Sequence, residues 1–198
     1  MGAAICPETI SRIGWFEMSD ENVYRHEPVI DIASTPKDFE QVANDLCEKA
    51  LNDARAQVHP LIQNVELNRL DRRTEFVQAF KLALEQRVAK KLAAWYPNVQ
   101  AVFKFDEARL DLHRPWDGSI HLLAKVPRLS KTLKALGQKL DQSLVRYMKR
   151  LGWSRFYKRQ FILEVQQVTA NELQHGIGYG AMFCAVYSVP VKVWPRSK

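Results

Sequence analysis

The feature that most constrains this chain is a change of hydrophobic period at Pro97. Before it, Phe76, Phe80, Leu84, Val88, Leu92 and Trp95 recur at intervals of three or four residues, the stripe of a helix with one buried face. After it, Val99, Ala101, Phe103 and Phe105 alternate with their neighbours, the period of a strand. A chain that switches period in this way has to pack helices against a sheet. The helix before Pro97 is expected to begin near Asp71 or Thr74, and the proline stops it. An earlier helix is expected with Thr35 as N-cap, Pro36 in the first turn and Asp38 three residues beyond the cap. Phe39, Val42, Leu46, Ala50, Ala54 and Val58 form its stripe and Pro60 ends it. Two helices joined by a short link form an αα-hairpin over 35–96.

Beyond the first strand, Ile120, Leu122, Ala124 and Val126 alternate after the turn signal Asp117-Gly118. Pro127 closes that strand and Ser130 is placed to cap a third helix. Leu129, Leu133, Leu136, Leu140, Leu144, Tyr147 and Leu151 form its stripe, with Gly152 just past its end. Phe161, Leu163 and Val165 open a third strand, and Phe183 through Val193 alternate as a fourth. Pro190 marks that last strand as an edge. The expected architecture is therefore α+β in the order α-α-β-β-α-β-β. A four-stranded, largely antiparallel sheet is packed with helices. Residues 1–34 form an irregular arm, and 35–198 form one domain made of the helical hairpin and a ββαββ unit over 97–198. A chain of 198 residues buries enough surface to need neither disulfide nor metal for stability.

Composition excludes wholesale disorder, with 46% hydrophobic and 26% charged residues. No run approaches the roughly 20 apolar residues of a membrane span, and the N-terminus lacks the pattern of a signal peptide. Cys6, Cys47 and Cys184 are odd in number and widely spaced, which points to reduced thiols and a cytoplasmic setting.

Charge is distributed unevenly. Residues 1–65 carry eleven acidic against five basic side chains, whereas 125–159 carry Asp141 alone against eleven Lys and Arg. On the third helix Lys131, Lys134, Lys139, Arg146, Lys149 and Arg150 lie opposite the leucine stripe. The basic run continues through Trp153, Arg155, Phe156, Tyr157, Lys158 and Arg159. Cations contact phosphates and aromatic rings stack on unpaired bases, so this pattern suits DNA or RNA. Lys131, Lys134, Lys149, Arg150, Arg155, Lys158 and Arg159 are the expected phosphate contacts. Trp153, Phe156 and Tyr157 are the candidate stacking residues, although some of these rings must close the core. A solvated amphipathic helix is the plain alternative. An acidic protein surface is another partner of the same chemistry. So is the chain's own acidic N-terminal region, in the same or a second copy, which would make a homo-oligomer such as a homodimer.

A second cluster runs from Asp106 to His121. Asp106, Glu107, Asp111 and His113 are candidate ligands for a divalent ion in phosphodiester chemistry, with His175 as a more distant member. The cluster contains no recognised metal motif, and a polar hairpin connection is the favoured account. The run His175-Gly176-Ile177-Gly178-Tyr179-Gly180 has glycines that let backbone amides approach an anion, but it matches no phosphate-binding motif and is expected to be a turn between strands. No nucleophile motif occurs, Cys47 and Cys184 are expected to be packed small hydrophobes, and no cofactor is implied. The sequence thus points to a non-enzymatic binding protein, with an assembly factor and a metal-dependent phosphodiesterase as rivals.

Overall fold

The computed structural model describes residues 38–63, 65–105, 119–153, 161–184 and 189–195. The expected arm over 1–34 and the Thr35–Pro36 cap lie outside them. Helix α1 runs Phe39–Gln57, and Asp38 is its N-cap, with Oδ1 accepting from the N–H groups of Glu40 and Gln41. The sequence pattern places Asp38 inside the first turn; its side chain instead reaches two otherwise unpartnered amides at the described helix start. Pro60 begins a single turn, α2 (Pro60–Gln63), and a 3-10 stretch, Leu67–Arg72, leads into α3 (Thr74–Trp95). Phe76, Phe80, Leu84, Val88 and Leu92 are fully buried along α3, as the stripe requires.

Strands β1 (Ala101–Lys104) and β2 (Ile120–Val126) pair antiparallel. Helix α4 (Lys131–Arg150) begins with the Ser130 hydroxyl accepting from Leu133 N–H, and Gly152 follows it with φ +71°. Strand β3 (Leu163–Thr169) then runs parallel to β2, with α4 as the crossover between them. The sheet order is β3-β2-β1-β4, with β1 and β4 antiparallel. The fold is α+β and its sheet is mixed; one of its three pairings departs from the antiparallel expectation.

The segment between β3 and the last strand also differs. Helix α5 (Ala170–His175) and a 3-10 stretch, Gly178–Cys184, fill it, and β4 is confined to Val191–Trp194 at one edge, directly after Pro190. Thr169 and Glu172 make a reciprocal capping box that turns the chain out of β3. Phe183 therefore sits outside the strand. The glycine run is not a free turn: the amides of Gly176 and Ile177 donate to Glu172 O and that of Gly180 donates to Ile177 O. Those donors are consumed inside the chain, which leaves no anion cradle there.

Register assigns the faces. Ile120, Leu122, Ala124 and Val126 on β2 join α1, α3 and α4 in the main core. Gly137 allows α4 to approach β3 closely, since a Cβ there would stand 3.0 Å from Val165. Phe105, Leu123 and Val168 form a smaller cluster on the opposite face, covered by Leu173, Met182 and Phe183. No described helix is long and apolar enough to cross a membrane.

Candidate functional site

Helix α4 sets the candidate site because its two faces do opposite things. Leu133, Leu136, Leu140 and Leu144 are buried against the core, whereas Lys131, Lys134, Lys139, Arg146, Lys149 and Arg150 are exposed. Asp141 is the one carboxylate on the helix, and it is turned inward. Its Oδ1 accepts from the backbone N–H groups of Ile162 and Leu163, 2.8 Å each, which ties the start of β3 to α4. Burial pushes its carboxyl above the ordinary range, and those two hydrogen bonds pull it partly back. The outward side of α4 is consequently basic without interruption.

That side divides along its length. Toward α1, Lys139 lies 5.8 Å over the Phe39 ring, Arg146 pairs with Glu40 at 2.5 Å, and Arg150 donates to Asn44 Oδ1 at 2.6 Å. Away from α1 stand Lys131, Lys134 and Lys149. Lys131 and Lys149 are roughly five turns apart, so they share one azimuth about 27 Å along the axis. The expected docking of acidic N-terminal residues on the basic helix is therefore made in part within one chain, by Glu40.

Trp153 does not belong to a stacking surface. It is fully buried, its ring meets Phe76 and Phe80 edge-on at 5.9 and 5.2 Å, and its Nε1–H donates to Leu67 O at 2.7 Å. A Trp one residue beyond Gly152 closes the core under the end of α4, and its indole ties down the stretch before α3. Arg155, Phe156, Tyr157, Lys158 and Arg159 lie outside the described residues. So do Asp106, Glu107, Asp111 and His113. His175 uses Nδ1 to donate to Asn171 O at 2.9 Å.

His121, the last member of the acid and imidazole cluster, is buried on the second sheet face between the Phe105 and Phe161 rings. Its Nδ1 faces Glu164 Oε2 at 3.0 Å, and Gln166 donates to the other Glu164 oxygen. The hydrogen bond from His121 leads in holding the Glu164 carboxyl below its usual range, against the opposing effect of burial. Among the described residues no three His, Cys, Asp or Glu side chains are grouped to hold a metal ion. Cys47 is buried, which pushes its thiol well up and removes it as a nucleophile.

Sequence reasoning missed a groove of about 620 Å³ between α1 and the C-terminal end of α4. From α1 it is lined by Asn44, Glu48, Asn52 and Arg55, and from α4 by Tyr147 and Arg150. The Arg150 guanidinium sits 5.7 Å over the Tyr147 ring. Burial, reinforced by Cys47 and Glu48, pushes the Tyr147 hydroxyl up to about 12. The signal available was the polar spacing 44, 48, 52, 55, which marks one side of α1 but reads as ordinary wet surface. Comparison with known proteins finds no family model, no curated protein and no solved structure that matches this chain.

Proposed function

We propose that this is a non-enzymatic binding protein that engages an anionic partner, nucleic acid, along the basic side of α4. The observation that carries the proposal is the inward turn of Asp141, which leaves the outward side of the helix without an acid. A phosphate backbone presents negative charge along a line, and lysines spread along one side of a helix meet it with little demand on base sequence. Lys131, Lys134 and Lys149 are the phosphate contacts on the edge away from α1, and Arg150 borders them. Arg155, Phe156, Tyr157, Lys158 and Arg159 extend the same basic and aromatic composition along the chain. Cytoplasmic residence is part of the proposal, because Cys47 and Cys184 are free thiols and Cys184 is exposed.

The test is Lys131→Glu with Lys149→Glu, which should leave the fold intact because both side chains are exposed. Binding to random DNA or RNA should weaken, and the slope of log K against log salt should flatten by roughly one for each phosphate no longer neutralised. Unchanged affinity and slope would remove the lysine edge as the binding surface. An assembly role in which acidic residues of a second copy cover the same edge predicts something else: the double change alters the oligomeric state, read by light scattering, in the absence of nucleic acid.

A further inference from the structure

Arg55 is the unexplained charge of the molecule. Its Nε is buried and has no hydrogen-bond partner among the described residues, and it lines the groove between α1 and α4. A buried guanidinium N–H left unpaired is costly, and such a group in a native fold calls for a ligand or an ordered water. Arg87 offers a contrast on the same helix pair. One of its nitrogens is likewise unpartnered, but its guanidinium is paired with Asp53.

We propose that this groove is a nucleotide site, in which Arg55 and Arg150 hold the phosphate. Two guanidiniums against the single carboxylate of Glu48 leave the groove with net positive charge. Planar forks of donors match the oxygens of a phosphate better than any other side chain does. Arg150 is pre-oriented, since Asn44 Oδ1 accepts one of its N–H groups and the Tyr147 ring supports its face. That hydrogen bond leaves the Asn44 amide nitrogen as a further donor. Glu48 and Asn52 supply acceptors for sugar hydroxyls or an exocyclic amine, while Leu51, Leu67 and Leu151 give the apolar wall that a base requires. The volume of about 620 Å³ falls in the range of roughly 300–1,000 Å³ occupied by small-molecule sites.

The ligand chemistry is a nucleoside phosphate, either a free nucleotide or the phosphorylated end of a strand. The site shares its partner class with the proposed function, but it uses a different part of the surface. The two can therefore fail separately.

The experiment is calorimetric titration of the full chain with AMP, adenosine, and short single strands with and without a 5′-phosphate. AMP should bind, adenosine should bind roughly tenfold or more weakly, and Arg55→Lys should cost AMP a similar factor by losing the fork while keeping the charge. Lys131→Glu with Lys149→Glu should leave AMP binding intact, because those lysines lie outside the groove. Preference for the 5′-phosphorylated strand, with AMP also bound, assigns the site to strand ends as well as free nucleotides. Equal binding of AMP and adenosine, no heat with AMP at millimolar concentration, or an Arg55→Lys variant that binds like the wild type each overturns the site. Should Arg55→Lys fail to fold, the Arg55 Nε–H resonance of the wild type decides. It should move on addition of AMP and stay fixed with adenosine, and an unmoved resonance overturns the proposal.

Discussion

The two edges of α4 carry the same kind of charge and do different work. Toward α1, Lys139, Arg146 and Arg150 meet Phe39, Glu40 and Asn44, so their cations help seat one helix on another. Away from α1, Lys131, Lys134 and Lys149 are exposed and take no part in that seam. A count of eleven basic residues in one segment treats these edges as equal. Their positions separate them: a cation seated on α1 adds to the general field, whereas a cation on the outer edge can approach a phosphate.

Trp153 gives the largest test of that division, because it sits in the basic and aromatic run and yet belongs to the core. Trp153→Ala should destabilise the fold by about 3–5 kcal/mol, the usual cost of emptying an aromatic core position. Chemical denaturation measures it. A variant of unchanged stability that loses only nucleic-acid binding would place the indole on the binding surface instead.

Asp141 comes next, as the carboxylate whose inward turn makes the outer side of α4 basic. Asp141→Ala strips the acceptor from two backbone N–H groups and should cost about 1–3 kcal/mol. Asp141→Asn keeps an acceptor oxygen and should cost less. Burial raises this carboxyl in the folded chain, so the folded state holds the proton more firmly than the unfolded one does. Its contribution to stability is complete below the ordinary Asp value of about 3.9 and declines as pH rises through the folded value. Asp141→Asn should abolish that decline. Glu164 has the opposite sign: its lowered value gives a contribution present above the ordinary Glu range and lost as pH falls through the folded value.

The smallest effect belongs to the seam itself. Arg146 and Glu40 are 59% and 49% exposed, so a double-mutant cycle should return a coupling of only about 0.2–1 kcal/mol, weakened further by salt. A coupling well above that range would mean the two helices are held together by charge and not by the apolar residues between them.

Local signals were legible in the sequence, and long-range pairings were not. The stripe, the Ser130 cap and Gly152 define α4 from neighbouring residues, and alternation defines β2. The parallel pairing of β2 with β3 depends on how α4 crosses the sheet, which no local pattern states. Alternation around Phe183 suggests a long final strand, although Thr169 and Glu172 carry the capping-box signal for α5 and Gly176 the signal for its end. At the site, total charge can be read directly. Its division cannot, because Glu40 and Asn44 lie 106 residues from Arg146 and Arg150 in sequence. Trp153 is ambiguous for the same reason: its partners Phe76, Phe80 and Leu67 O belong to a distant segment.

The most direct measurement compares two variants of equal charge. Lys131→Gln with Lys149→Gln neutralises the outer edge, and Lys139→Gln with Arg146→Gln neutralises the edge seated on α1. Each removes two positive charges from one helix. Binding to a random single-stranded oligonucleotide, followed across a salt series by fluorescence anisotropy, separates direct phosphate neutralisation from general field. The first variant should weaken binding at low salt and lower the salt slope by roughly two, while the second should change the slope by less than about one. Equal losses of affinity in the two variants would contradict the account, because they would show that the partner senses only net charge and that the outer edge of α4 is not where it binds.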